Sequence, residues 1–276
     1  MASTSTAEDV RFEFGSNWQR FLSVVDEERI RQAEASLRTM LGLDHLNGLQ
    51  FLDIGCGSGL FSLAARRLGA SVTSFDFDPG SVACTAELRR RYYRDDPSWT
   101  VREGSVLDIE FMRSLGSFDV VYSWGVLHHT GAMWSALDHA VQAVADDGRL
   151  FIALYNDQGA RSAWWTRVKR TYNRLPRALK PIYMLMFGAA FEAAAVAVAI
   201  ARGRPGAVLG RWRNYQSVRG MSRWHDVVDW VGGYPFEVAQ PDAVFHFRRA
   251  RGLTLAKLKT CGGKLGCNEF VFERTR

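Results

Sequence analysis

The side chains able to do chemistry gather in a few short stretches. In FLDIGCGSGL, Phe51–Leu60, an apolar run ends in Asp53 and passes into glycines at alternate positions, Gly55, Gly57 and Gly59. Asp76 closes the next apolar run, SVTSFD. His128 and His129 end the stretch GVLHH, and Tyr155 and Asn156 end GRLFIALYN. Further on, RGMSRWHDVVDWVGGYPFE holds Arg223, Trp224, His225 and Tyr234. Glycines after an acid let backbone approach a nucleotide-like ligand. Imidazoles near such a turn suit proton transfer. An arginine beside a tryptophan suits an anionic, partly apolar molecule.

The glycine loop discriminates among nucleotides. A phosphate-cradling P-loop needs Lys and Ser/Thr after its last glycine, and here Leu60 and Phe61 follow. A dinucleotide turn spaces its glycines GxGxxG, whereas this one reads GxGxG. Asp53 at the loop entrance would repel a pyrophosphate that seeks bare N–H groups. S-adenosylmethionine has no phosphate and carries a sulfonium and an ammonium, both suited to a nearby carboxylate. Asp76, about twenty residues on, is placed to accept both ribose hydroxyls.

The elements that must hold these residues alternate. EERIRQAEASLRTMLG has helical spacing through Ile30, Ala33, Leu37 and Met40, closed by Gly42. GLQFLDIG, SVTSFD, WTVREGSVLD, FDVVYSWGVLHH and GRLFIALYN read as strands. LFSLAARRLGA, DPGSVACTAELRRRYY and MWSALDHAVQAVA read as the helices between them, with Asp78 before Pro79 as a cap. The expected class is α/β, a Rossmann-like parallel sheet with helices on both faces. PDAVFHFRRARG then gives a helix, LTLAKLKT a strand, and NEFVFERT an antiparallel last strand after a short Gly-rich turn. The expected domains are an N-terminal helical segment over the cofactor site (1–48), a cofactor-binding core (49–156), a mainly helical lid insertion for the substrate (157–239), and a C-terminal helix with the last two strands (240–276).

LDIGCGSG, SFDFDP, EGSVLD and SWGVLHH, in that order, resemble the class I S-adenosylmethionine-dependent methyltransferases. The resemblance covers about residues 49–155 and the last two strands. It implies that Asp53, Gly55, Cys56, Gly57 and Gly59 hold the methionine portion, and that Asp76, with Phe77 beside it, takes the ribose. It places Ser105 and Val106 at the adenine, with Asp108 as the alternative acid there. The tip of the fourth strand around Trp124 lies under the sulfonium, and Trp18 in FGSNW belongs to the segment covering the site. FGSNW, LYNDQG and RGMSRWHDVVDWVGGYPFE resemble a bacterial subgroup of small-molecule and peptide carboxylate O-methyltransferases. That implies esterification of a carboxylate in natural product biosynthesis.

A carboxylate acceptor needs no base, whereas a hydroxyl does. The candidates for catalysis are His128, His225 (four residues before Asp229) and Tyr155, with His129 beside the first. Asn156, Arg223, Trp224 and Tyr234 are the candidates for holding the acceptor. The NPPY-like signature of amino-group enzymes is absent at SWGV. Two rivals stay open: a membrane-associated quinone, polyprenyl-lipid or hydroxyl O-methyltransferase, and a non-catalytic S-adenosylmethionine-binding partner protein.

Composition bounds the partners. A formal charge of +6 over 276 residues is mildly basic and falls short of a nucleic-acid footprint. The four cysteines, Cys56, Cys84, Cys261 and Cys267, have no metal-type spacing and read as reduced thiols of a cytoplasmic protein, and the polar start is no secretory signal. No metal is expected. The expected partner is a small molecule or peptide with an anionic group. Ile182–Ala201 is long enough to span a bilayer, yet Glu192 interrupts it and basic residues flank both ends. The favoured reading is a buried or interface helix, with a homodimer through the lid or peripheral membrane contact as further readings.

Overall fold

The computed structural model describes residue 22, residues 25–203, residue 227 and residues 230–274. Helix α1, Glu27–Leu41, starts where Asp26 accepts from the Arg29 N–H and ends at Gly42 with φ 67°. Its buried residues are the expected periodic set, Ile30, Ala33, Leu37, Met40 and Leu41. The alternation that follows is β1 (Gln50–Ile54), α2 (Leu60–Arg67), β2 (Ser71–Asp76), α3 (Pro79–Tyr92), β3 (Trp99–Glu103), α4 (Ile109–Leu115), β4 (Phe118–Trp124), α5 (Met133–Gln142) and β5 (Val144–Tyr155). Asp78 caps α3 by accepting from the Gly80 N–H, with Pro79 in the first turn. The short helix α4 was not foreseen.

Seven strands form one sheet in the order β3-β2-β1-β4-β5-β7-β6, where β6 is Leu253–Lys259 and β7 is Cys267–Arg274. The first five are parallel, and β7 runs antiparallel to both neighbours, pairing Leu150 with Phe272 and Leu255 with Phe272 from either side. The expected mixed sheet with an antiparallel last strand is what forms. The helix α8, Pro241–Arg249, precedes β6.

Strand periodicity divides the core between two faces. Leu52, Ile54, Phe75, Val121 and Ile152 join the cluster that includes α5, whereas Phe51, Val72, Tyr122 and Phe151 join the one that includes α1 and α2. Asp53 therefore shares the face of Phe51, beneath α2.

The chain separates into two compact units. One contains this sheet and comprises Glu13–Ser162 and Phe236–Arg276, and the other includes Ala163–Pro235. In the second unit, α6 (Ala160–Arg174) and α7 (Lys180–Ala201) meet through Trp165 and Phe187, whose ring centroids lie 6.1 Å apart. Lys169 is fully buried there, donates to the Trp230 carbonyl and sits 4.6 Å over the Trp230 ring. Of the expected buried or interface helix, α7 corrects the buried half. Of its 22 residues only Met184 and Phe187 are buried, while Ile182, Leu185, Met186 and Ile200 are more than half exposed. Its apolar character outruns what α6 can cover.

Candidate functional site

The site begins at the carboxyl ends of β1, β2 and β4, where parallel strands leave a crest open to ligand. Ser123 is fully buried and its hydroxyl donates to the Ile54 carbonyl at 3.1 Å, tying the tips of β4 and β1 together. Residues 55–59 then turn sharply. The Gly55 and Cys56 N–H groups both donate to the Phe75 carbonyl, and the Gly59 N–H donates back to the Cys56 carbonyl. Gly55 has φ 75°, and a Cβ there would fall inside the Val126 side chain. Only glycine meets both conditions.

Asp76 sits at the end of β2. One carboxylate oxygen accepts from the Gly57 N–H at 2.9 Å and the other from the Asp78 N–H at 2.9 Å. The acid thus fixes the loop from the end of β2. Burial pushes its carboxyl above the usual range, against the backbone bonds from Asp78, Gly57 and Phe77.

Asp53, the acid read at the loop entrance, is the last residue but one of β1. It is buried beneath α2, where Ser62 donates to it from the hydroxyl at 2.5 Å. The Ser62 hydroxyl also meets Ser74 at 2.7 Å, and the Trp99 ring N–H donates to Ser74 at 2.9 Å. With the Ser62 proton committed to Asp53, the Ser74 proton must point to Ser62. A directed chain, Trp99 to Ser74 to Ser62, thus ends on the carboxylate. Burial raises the Asp53 carboxyl to about 7; the Ser62 hydrogen bond opposes this and the charge of Asp76 adds to it. Sequence reasoning missed Ser62 and Ser74. Their signal was present: each is a hydroxyl at a position where the helix or strand pattern calls for an apolar side chain.

Among the described residues, no Lys or Arg pairs with Asp53 or Asp76. Asp53, buried, and Asp76, half-buried, thus lie near one another without a countercharge among the described residues. Such an arrangement favours a cationic ligand. Cys56, also in the loop, is buried, accepts a 3.2 Å hydrogen bond from the Thr85 hydroxyl, and has its thiol pushed well up by burial. It packs and does not react.

The remaining cofactor candidates lie along the same edge. Phe77 is exposed and Val106 buried, with the Val106 carbonyl 2.7 Å from the His139 ring. Ser105 accepts from the Leu107 N–H at 3.2 Å, closing a local turn. Asp108 caps α4 instead of facing an adenine, accepting from the Glu110 and Phe111 N–H groups at 3.0 and 3.1 Å. Trp124 stands 45% exposed at the tip of β4. Trp18 lies outside the described residues.

The candidates for the acceptor side divide. His128 is fully buried, accepts from the Tyr155 N–H through Nδ1 at 3.4 Å, and stacks 4.0 Å from the Tyr155 ring. A sealed ring of this kind positions its neighbours, so the catalytic role expected for His128 does not fit its place. His129 is half-buried, with its ring 4.5 Å from His128 and 5.5 Å from Tyr155. It is the imidazole of the pair that solvent and ligand can reach. Tyr155 is half-buried between His128 and Phe236, whose ring lies 5.1 Å away. Asn156, expected to hold acceptor, has its side-chain oxygen accepting from Asn268 at 3.0 Å and its backbone bridged to Ala239. It joins β5 to β7. Tyr234 belongs to the second unit, where its hydroxyl accepts from Arg170 at 3.2 Å. Arg223, Trp224 and His225 lie outside the described residues.

Glu237 was missed. Both its oxygens reach the Met133 N–H, at 3.0 and 3.2 Å, and its own N–H donates to the His128 carbonyl at 2.9 Å. An anion there complements the start of α5 and clamps the turn that carries both histidines. Burial raises its carboxyl. Nothing in the sequence linked positions more than a hundred residues apart.

Comparison with known proteins converges on the same region. Residues 52–150 match a family model described as a methyltransferase domain. Over 111 residues the chain is 34% identical to the mitochondrial ubiquinone biosynthesis O-methyltransferase of Schizosaccharomyces pombe, covering 39% of this chain and 38% of that protein. It is 33% identical over 111 residues to a tRNA U34 carboxymethyltransferase of Idiomarina loihiensis, covering 40% of this chain and 34% of that one. The matches thus span well under half the length of these relatives. In three dimensions, magnesium protoporphyrin IX methyltransferase from Synechocystis, with bound SAH, covers 94% of this chain and 95% of its own at a TM-score of 0.53 and 13% identity. That likeness speaks to the fold.

Proposed function

We propose that this chain, which carries an S-adenosylmethionine-dependent methyltransferase domain of the class I fold, transfers a methyl group to a hydroxyl of an apolar, phenol- or quinol-like acceptor. The observation that carries the cofactor is the pair of carboxylates, buried Asp53 and half-buried Asp76, beside a left-handed glycine turn and without a basic partner among the described residues. The sulfonium donor supplies an electrophilic methyl group and a neutral thioether leaving group. Asp76, half-buried at the end of β2, is placed to accept from the ribose hydroxyls, and Gly57 with φ 53° lets the backbone approach closely. Asp53 contributes through its field from beneath α2.

The half-buried His129 imidazole favours a hydroxyl acceptor. A hydroxyl must lose its proton as its oxygen attacks, and a neutral imidazole is a suitable receiver near pH 7. His128 and Glu237 act on His129 by holding the turn. The relatives named for ubiquinone biosynthesis match over the same core and support the quinol class. Esterification of a carboxylate, the reading suggested by the RGMSRWHDVVDWVGGYPFE resemblance, needs no base and leaves His129 unused.

The two readings part in one experiment. With labelled S-adenosylmethionine and a mixture of catechols and carboxylic acids, the product should be an alkali-stable ether. His129→Asn should lower kcat by roughly 10²- to 10⁴-fold with unchanged cofactor affinity in calorimetry. A base-labile methyl ester, or a fully active His129→Asn variant, would overturn the hydroxyl reading in favour of the carboxylate one.

A further inference from the structure

Helix α7 presents a continuous apolar face that the described residues leave uncovered. At 3.6 residues per turn, Ile182, Leu185, Met186, Ala189, Val196 and Ile200 fall along one side of the helix, all exposed. From Ile182 to Ile200 the face runs for about 27 Å at 1.5 Å per residue. The opposite side holds Met184 and Phe187, which are buried. A strip this long on a water-soluble surface marks an interaction site.

Length and composition would allow α7 to cross a bilayer. Topology rules against a crossing. Strand β5 lies before α7 in the chain and β7 after it, yet the two pair residue by residue from Arg149↔Glu273 to Tyr155↔Cys267. A single passage between them would leave the halves of one sheet on opposite sides of the membrane. A second passage would have to return the chain, and between residues 202 and 240 no stretch free of Asp, Glu, Lys and Arg exceeds seven residues. The helix must therefore stay on one side.

Charge decides the occupant. Exposed Arg174 and Arg177, with Lys180, stand at one end of the strip, and exposed Arg202 stands at the other. Glu192 is the one acid within α7. Two copies laid face to face, in either direction, would bring cations against cations at both ends. An anionic lipid surface meets all of them, and takes the apolar strip between headgroups and acyl chains.

We propose that α7 lies in the plane of an anionic membrane surface, with the Ile182–Ile200 strip buried among the lipids and the basic ends against the headgroups. The surface would hold the chain where an apolar acceptor dissolves, but the proposal stands independently of the acceptor assignment.

Co-sedimentation of the full chain with vesicles tests it. The probes are phosphatidylcholine vesicles with and without about one-third phosphatidylglycerol, at low and physiological salt. The intact protein should bind the anionic vesicles, bind the neutral ones at least tenfold more weakly, and lose part of its binding as salt rises. The double variant I182E/L185E should lose at least tenfold in affinity, and R177E/K180E should lose the salt-dependent part. I182E/L185E alters exposed side chains and R177E/K180E one exposed and one half-buried, so an unchanged circular dichroism spectrum and melting curve will show that they fold. Methylation of a water-soluble catechol should be the same for I182E/L185E as for the parent, which separates failure here from failure of the acceptor reading. Absence of vesicle binding by the intact protein, or undiminished binding by I182E/L185E, would overturn the proposal. So would a dimer in analytical ultracentrifugation that I182E/L185E dissociates, with no lipid binding; that result would make the strip a contact between copies.

Discussion

The sheet unit and the second unit use apolar residues in opposite ways. In the sheet unit the apolar side chains at the centre of β1, β4 and β5 are buried, with Phe51, Leu52, Val121, Leu150 and Ile152 at 0% exposure. In the second unit the most apolar helix of the described chain keeps Ile182 at 66% and Leu185 at 65% exposure. A parallel sheet flanked by helices must bury both faces, and its topology then delivers the ends of β1, β2 and β4 to one crest. Asp53, Asp76 and Trp124 are neighbours because hydrogen bonding between strands leaves no alternative register. The insertion has no such constraint. What it touches is set by surface chemistry.

The contrast breaks first at the glycine turn. Gly55→Ala places a side chain at φ 75° and against Val126. The left-handed backbone costs about 1–2 kcal/mol and overpacking about 1–3 more. A loss of roughly 2–5 kcal/mol in denaturant unfolding is expected, with cofactor binding abolished in calorimetry. Loss of binding without loss of stability would show that the turn is less tightly specified than its geometry implies. A buried side chain gives the companion measure: Leu63→Ala, at 0% exposure, should cost roughly 2–5 kcal/mol.

Most of the sheet unit was legible in the sequence because its signals are local. The boundaries of β2 at Ser71–Asp76, the Asp78–Pro79 cap, and the buried set of α1 follow from period, cap and breaker alone. The site was legible where one residue acts through its own position, as with Gly55 and Asp76. It was not legible where a residue acts through a distant partner. Asp53 was read at the loop entrance and its cover by Ser62 was not, because sequence spacing cannot tell which helix lies over the face it shares with Phe51. His128 was the candidate taken from GVLHH, and only packing against Tyr155 shows that it is sealed while His129 is half-buried. The apolar run at 182–201 was read as a buried or interface helix, and composition could not choose between the two because burial needs a partner surface.

Charge at the crest offers a subtler test. The Asp53 carboxyl, raised to about 7 mainly by burial, lies above its unfolded value of 3.8. The folded protein therefore binds this proton more tightly than the unfolded chain. The stability it contributes is complete below pH 3.8 and is lost as pH rises through about 7. Asp76, raised in the same direction by burial, adds to the slope. A cationic ligand reverses the preference by favouring the carboxylate. Affinity for S-adenosylmethionine should rise with pH, by up to about tenfold per unit below 7, and flatten above it. Asp53→Asn should flatten both profiles, read by melting temperature and by calorimetry from pH 5.5 to 7.5. Profiles unchanged by Asp53→Asn would transfer the titration to Asp76 and confine Asp53 to a structural part.

The smallest effect separates the two units most cleanly. Leu185→Ala removes as many atoms as Leu63→Ala, but from a side chain that already faces solvent. Burial supplies the free energy that truncation loses, so an exposed leucine has little to lose. Unfolding of Leu185→Ala in water should differ from the parent by no more than about 0.5 kcal/mol. The same variant measured with anionic vesicles present should separate from the parent, because the vesicle-bound state then provides the burial that the free chain lacks. A large cost in water would mean that Leu185 packs against protein in solution, and the contrast between the units would shrink to one of degree.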